Sequence, residues 1–315
     1  FMFKNKTILI TGGTGSFGKA FLEYLLVNHK ELKKIIIFSR DELKQFELAV
    51  KFNTKKYPII RYFIGDIRDK GRLDRAMQDV DYVIHAAALK QVPTAEYNPF
   101  EVIKTNVIGA QNIVEACLNS NVQKVIALST DKACAPINLY GASKLCSDKL
   151  FISANNIIGK RKLSFSVVRY GNVMGSRGSV IPEFIKQKRN GSLNITDKNM
   201  TRFNITLKQS IDFVILALKK SVGGEIFVPK IPSYKILDLA KAIAPEAKIN
   251  IIGIRPGEKI DEELVTEGES VHAVELNKYF VILTSTINYS NKDYSYLKKG
   301  KKIKKEFSYR SNTNS

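Results

Sequence analysis

Tyr140 and Lys144 stand four residues apart in STDKACAPINLYGASK, the stretch from Ser129 to Lys144 that also holds Asp131 and Lys132 side by side. Four residues make about one helical turn, so phenol and amine share a face. That pairing has a chemical use. A free tyrosine titrates near 10, and a phenolate base at neutral pH needs a shift of about 3 units, or about 4 kcal/mol. An ammonium about 4 Å away contributes that order of energy at an effective dielectric of about 20. Tyr140 is therefore a candidate to take a hydroxyl proton while a hydride leaves the same carbon. Asp131 and Lys132 are either a solvated loop or the working parts of a site.

The surrounding pattern decides between those readings. From Thr7 onward, short β-branched runs alternate with longer helical stretches: TILIT, KIIIFS, IIRYFIGD, DYVIHAAA, KVIALST and FSVVRY are the strand candidates. They are nearly continuous apolar runs, as expected of parallel strands buried on both faces. The fold class is α/β, a Rossmann-type doubly wound parallel sheet with a smaller C-terminal substrate-binding domain. Residues 1–170 and 206–229 are assigned to the dinucleotide-binding domain, and 171–205 with 230–315 to the substrate domain. The latter division rests on the loop-like GNVMGSRGSVIPEF, a helix over about 207–220 and a strand at GEIFVP returning to the sheet. VIALST is then the fifth strand. Thr130, Asp131 and Lys132 emerge at its carboxyl end, where open α/β sheets bind ligands.

TGGTGSFGKAF follows the first strand and opens the first helix. Gly12, Gly15 and Gly18 form a G-x-x-G-x-x-G loop, which lets backbone approach a pyrophosphate at a helix N-terminus. Thr11, Thr14, Ser16 and Phe17 complete that loop. The second strand ends in FSRDELK, where Ser39, Arg40 and Lys44 suit a ribose 2′-phosphate, although Asp41 stands beside them. NADP is the expected cofactor. Asp66 and Ile67 end the third strand where the adenine would lie, and Ala86, Ala87 and Ala88 leave room after the fourth. His85 reads as a packed strand residue.

With 315 residues, 44% hydrophobic and 25% charged, the chain suits a globular enzyme. Cys117, Cys134 and Cys146 have neither metal-ligand spacing nor disulfide-scaffold density, so no metal is expected and a reducing cytoplasm is the default. The opening apolar run is too short for a signal peptide, and no stretch reaches the roughly 18 apolar residues of a membrane span. The net charge of +20 reads as a lysine-rich solvated surface that attracts small polyanions, with no nucleic-acid partner expected. LKKGKKIKKEF, residues 297–307, reads as a flexible or peripheral tail.

The motifs TGGTGSFG, YGASK and RYGNVMGSRGSVIPEF resemble those of the extended short-chain dehydrogenase/reductases. TDKACAPINLYGASKLCSDKLF, MTRFNITL, GGEIFVPKIPS and IIGIRPGEK extend the likeness, over about residues 4–307, to the inverting UDP-N-acetylglucosamine 4,6-dehydratases that begin pseudaminic acid and flagellin glycan biosynthesis. The resemblance implies a reaction. Tyr140 oxidises the sugar C4 hydroxyl with Lys144 biasing the phenol and holding the ribose, and NADP⁺ takes the hydride. The ketone acidifies C5, a base removes its proton, the C6 hydroxyl leaves as water, and hydride returns to C6. Reprotonation on the opposite face of C5 inverts it.

Asp131 is assigned as acid and Lys132 as base, with the swapped assignment as the alternative. A lysine base must be neutral, depressed from about 10.4 by burial or by a second cation such as Lys90. The resemblance further implies Lys90 and Asn106 at the cofactor, and Lys90, Thr130 and Tyr140 at the sugar. It points to Asn172, Arg177, Val180, Arg202, Arg255 and Glu258 for the UDP moiety. Two departures stand out: Asn204 where an aromatic is expected, and Asp261 where a histidine is expected. A homo-oligomer, dimer or hexamer, is implied. The alternatives are a UDP-sugar 4-epimerase, which needs Tyr and Lys but no pair for water loss, and a non-catalytic nucleic-acid-binding relative using the basic tail.

Overall fold

A computed structural model describes residues 2–176, 178–283, 293–303 and 306–314. β1 (Thr7–Thr11) leads into α1 (Ser16–Asn28), β2 (Lys34–Ser39) into α2 (Glu42–Lys51), and β3 (Ile60–Ile64) into α3 (Lys70–Ala76). β4 (Tyr82–His85) is followed by α4 (Val92–Tyr97), α5 (Pro99–Ile103), a π-helical turn (Lys104–Ile108) and α6 (Gly109–Leu118). β5 (Lys124–Thr130), α7 (Leu139–Ser153) and β6 (Ser164–Tyr170) close the first succession. All six strand candidates form. They pair in parallel in the order β3-β2-β1-β4-β5-β6, the doubly wound arrangement, with Ile8, Leu9, Ile10, Val83, Ile84 and Ile126 fully buried.

The second half alternates between the sheet and a smaller unit. β7 (Asn172–Val173), α8 (Val180–Lys188), β8 (Ser192–Ile195) and β9 (Thr201–Ile205) leave the sheet, α9 (Leu207–Lys220) covers it, and β10 (Glu225–Pro229) joins β6 in parallel. The α9 start is fixed by a capping box, Thr206 with Gln209. β11 (Ser233–Lys235), α10 (Ile236–Ile243) and β12 (Lys248–Ile251) return to the smaller unit. Its core is separate: Phe184, Leu193, Ile195, Met200 and Ile236 pack together with Ala240 and Ala244. Burying each large side chain contributes about 1.5–3 kcal/mol, enough to hold this wall of the cleft in place.

The chain's end departs from expectation. β13 (Glu263–Val265), α11 (Glu267–Ser270), β14 (Ala273–Glu275), β15 (Tyr279–Leu283), β16 (Lys301–Lys302) and β17 (Tyr309–Arg310) follow. β15, β14 and β16 extend the large sheet antiparallel beyond β10, although residues 230–315 read as substrate-side from sequence. The supposed loose tail is an anchored strap in its described residues. Leu297 is buried, Tyr296 stacks on Phe227, β17 pairs with β13, and the Tyr309 hydroxyl donates to Ile231 O at 2.9 Å. The aromatic and apolar side chains spaced among the lysines supply that anchoring, which a count of charges overlooks.

Candidate active site

A cleft of about 1180 Å³ runs along the carboxyl ends of β1, β2, β4, β5 and β6 and under the smaller unit. That exceeds the roughly 300–1,000 Å³ of a single small-ligand pocket and gives room for two ligands side by side. One end is the glycine loop: Gly12, Thr14, Gly15, Ser16, Phe17 and Gly18 line it. Gly12 has φ +65°, and a Cβ there would stand 2.8 Å from Ala87 N, so the close approach of the loop to the segment after β4 requires glycine at this position. The N-terminus of α1 at Gly15 has no side-chain cap and no acidic residue in its first turn. Its orphan N–H groups suit a pyrophosphate, and the residues present thus fit a dinucleotide.

Ser39, Arg40, Lys44, Ile67, Ala86, Ala87, Ala88 and Lys90 line the same end. Arg40 is half-exposed and lies 3.7 Å from Asp66. Lys44 pairs with Asp41, whose carboxylate also caps α2 by accepting from Lys44 N at 2.9 Å. Burial works against the Asp66 charge, but hydrogen bonds from Arg68 and the nearby Arg40 hold it below the usual carboxylate range.

At the centre, Thr130, Lys132, Tyr140 and Lys144 line one stretch of wall. β5 delivers the first two at its end, and Asn138 starts α7 by accepting from Gly141 N at 2.7 Å. Asn138 Nδ2 donates to Gly257 O at 2.7 Å, which ties the RPGEK loop to the helix of Tyr140. Gly141 explains the glycine of YGASK: a Cβ there would lie 2.2 Å from Lys132 O. Gly141→Ala should lower thermal stability despite a helix-propensity gain of about 1 kcal/mol, because overpacking costs about 1–3 kcal/mol. A thermal midpoint at or above that of the parent protein would contradict this close approach.

Charge at the centre differs from expectation. Lys132 Nζ donates to Asp131 Oδ1 at 3.0 Å and Asn172 Oδ1 at 3.3 Å, and lies 3.5 Å from Glu262 Oε1. Burial opposes the ammonium, but Asp131 and Glu262 outweigh it and hold Lys132 well above the usual lysine range. The unliganded chain thus keeps Lys132 charged, not neutral. Lys90 is depressed instead, by burial and then by the Lys132 charge, which reverses the expected influence. Burial pushes the Tyr140 phenol up; Lys132 and a hydrogen bond with Thr130 pull against it, and the balance leaves it at about 12. In the unliganded chain the charge that lowers the phenol is that of Lys132, which the sequence does not single out for this. Burial lowers Lys144 itself, and Asp148 counters it.

Four expected residues stand behind the wall rather than on it. The Thr11 hydroxyl is hydrogen-bonded to His85 Nδ1 at 2.8 Å; burial holds that packed imidazole at about 3, hence neutral. Asp66 faces Arg68 and Arg40. Asn106, from the π-helical turn, bridges Leu89 N and O at 2.8 Å each and donates to Ser143 Oγ at 3.0 Å. Asp131 is fully buried, with Oδ2 lacking a hydrogen-bond partner.

At the far end, Asn172, Val180, Arg202, Arg255 and Glu258 line the cleft; Arg177 lies outside the described residues. Arg255 Nε donates to Glu258 Oε1 at 2.9 Å, so the two engage each other in the unliganded chain. The departures have local settings. Asp261 accepts from Thr201 Oγ1 at 2.6 Å and Asn312 Nδ2 at 2.9 Å and so holds the C-terminal strap. Asn204 is in register with Asn172 across β7 and β9.

Sequence reasoning missed Glu262, Asn138 and the buried ion network of Asp148, Arg169 and Glu269. Asp148 had a signal, four residues beyond Lys144; Ser129 Oγ donates to it at 2.6 Å. Arg169 NH1 donates to both Glu269 oxygens at 2.9 Å. Among the described residues no group of three or more His, Cys, Asp or Glu could hold a metal ion, and no helix is long and apolar enough to cross a membrane.

Against known proteins, residues 8–284 match the family described as Polysaccharide biosynthesis protein. The chain is 56% identical, over 99% of its length and 94% of the relative's, to the UDP-N-acetylglucosamine 4,6-dehydratase (inverting) of Campylobacter jejuni. It is 50% identical to a UDP-glucose 4-epimerase of Rickettsia bellii, covering 89% of this chain and 84% of that one. The crystal structure of Pen from Bacillus thuringiensis superposes with a TM-score of 0.90 at 41% identity, covering 100% and 96%.

Proposed function

The chain belongs to the polysaccharide biosynthesis protein family, within the extended short-chain dehydrogenase/reductases, and on that premise we propose that it is an NADP-dependent UDP-N-acetylglucosamine 4,6-dehydratase that inverts C5. The observation that carries this reading is the Asp131–Lys132 pair, 3.0 Å apart at the end of β5 beside Tyr140 and Lys144. When bound, the nicotinamide supplies the acceptor and later the donor of a hydride. The glycine loop would hold its pyrophosphate, and Ser39 with Arg40 its 2′-phosphate.

Tyr140 takes the proton of the C4 hydroxyl as that carbon is oxidised. Asp131 and Lys132 then serve the loss of water across C5 and C6. Their hydrogen bond lets one proton cross from Nζ to Oδ1, turning ammonium and carboxylate into amine and carboxylic acid. The neutral pair is the competent one: Lys132 accepts the C5 proton, and Asp131 protonates the departing C6 hydroxyl. Solvent returns a proton to the opposite face of C5, which completes the inversion, and takes up the proton that Tyr140 holds. The product is a UDP-2-acetamido-2,6-dideoxy-hexos-4-ulose, suited to pseudaminic acid and flagellin glycan biosynthesis. Arg202 and Arg255 suit the diphosphate because a guanidinium forks onto two oxygens.

A cytoplasmic setting accords with three free cysteines, and a homo-oligomer with the exposed Tyr97, Phe100 and Ile108. Preference for NADP rests on Arg40, with Asp41 engaged in capping α2. Arg40→Ala should weaken NADP binding about 10- to 100-fold, the worth of charge-assisted hydrogen bonds of about 1.5–3 kcal/mol, and leave NAD binding nearly unchanged. Calorimetric titration with both cofactors checks this, and equal losses for the two would count against a 2′-phosphate site.

The 50% identity to a 4-epimerase favours a second reading, UDP-sugar epimerisation at C4. Incubation with UDP-N-acetylglucosamine and proton NMR of the product separates the two. A C6 methyl doublet is expected; a product altered only at C4 would replace dehydration with epimerisation.

A further inference from the structure

Glu262 lies in GEKIDEEL, a run of acids with no sequence feature that singles one out. The fold singles it out. It is 2% exposed, lines the cleft, and sets Oε1 3.5 Å from Lys132 Nζ and 3.7 Å from Arg202 Nε. Its other oxygen, Oε2, is buried and has no hydrogen-bond partner among the described residues. A carboxylate in such a place costs free energy unless cations compensate it, so its presence calls for a role.

Its backbone is fixed by the C-terminal strap. Ser311 N donates to Glu262 O, and Glu262 N donates to Ser311 Oγ, both at 2.9 Å, while Ser311 Oγ is hydrogen-bonded to Thr201 at 2.6 Å. The strap that closes the fold thereby sets the position of one cleft carboxylate.

We propose that Glu262 is a positioning residue for Lys132: as the second carboxylate beside Asp131 it clamps the ammonium, holds it at the cleft wall, and governs how readily its proton leaves. The proposal rests on the dehydratase reading for its consequence in turnover, but not for the clamp itself. The charged and titratable groups around Lys132 are Asp131, Glu262, Arg202, Tyr140, Lys90 and Tyr234. Asp131 and Glu262 favour the ammonium, and Arg202 opposes it. Asp131 is the partner that receives the proton in catalysis, which leaves Glu262 as the carboxylate that stabilises the resting state.

The test reads Lys132 directly. In full-length protein labelled at lysine, the Lys132 side-chain NMR signal, assigned by its loss in Lys132→Arg, is titrated in the parent, Glu262→Gln and Glu262→Asp. Glu262→Gln should lower the Lys132 midpoint by at least about one pH unit, a tenfold change in proton affinity. Glu262→Asp, which keeps the charge one methylene further away, should fall between. A Lys132 midpoint unmoved in both variants would overturn the clamp, whatever their activity. A shifted midpoint in an enzyme that gives no methyl doublet would uphold the clamp and defeat the dehydratase reading instead.

Discussion

Tyr140→Phe should reduce turnover of UDP-N-acetylglucosamine by about 10²–10⁴-fold, the contribution of a positioned acid–base group, and should remove the first reduction of bound cofactor with it. The phenol starts far from its working state. Burial outweighs the pull of Lys132 and Thr130 and leaves it at about 12, so a neutral-pH phenolate lies about 5 units, or about 7 kcal/mol, away. The Lys132 charge is already contained in that value. Lys144 and the oxidised nicotinamide must supply the rest, and one ammonium at about 4 Å contributes about 4 kcal/mol at an effective dielectric of about 20. The sign follows. A base titrating above the working pH is more available as pH rises, so the first-step rate of the parent enzyme should climb from neutral to mildly alkaline pH. The residual rate of Tyr140→Phe should lack that slope. Single-turnover absorbance of the reduced cofactor measures both. Parent-like cofactor reduction in Tyr140→Phe would remove Tyr140 from the chemistry.

The legible part of this site is the part written locally. The glycine loop needs a strand before it and a helix after it, and TILIT followed by TGGTGSFGKAF provides both within fifteen residues. Tyr140 and Lys144 share one helix face, so four residues of spacing suffice to pair them. The strand order follows from apolar runs that have to be buried on both faces. What sequence could not supply is charge state. Whether Lys132 is an amine or an ammonium depends on Glu262, 130 residues further along the chain, and on the burial that tertiary packing imposes on both. The strap was misread for a related reason. Its lysines dominate the composition, but Tyr296, Leu297 and Tyr309 determine where it lies. Asp261 also becomes intelligible only with Thr201 and Asn312 in place, because its partners come from two distant segments.

Lys132→Ala should separate the two halves of the reaction. Loss of water should slow by about 10²–10⁴-fold, while reduction of bound cofactor persists. That first step should still slow by about tenfold, the effect of about one unit on Tyr140, because the Lys132 charge no longer lowers the phenol. The substitution also strips two buried carboxylates of their shared cation, since Asp131 lies 3.0 Å and Glu262 3.5 Å from Nζ. Removing one partner of a buried ion pair costs about 3–5 kcal/mol, so the variant should melt earlier. The reaction itself is followed by single-turnover absorbance together with NMR of the sugar. If Lys132→Ala abolishes cofactor reduction as completely as Tyr140→Phe does, Lys132 acts in the hydride step, and the division between Tyr140 and the Asp131–Lys132 pair is wrong.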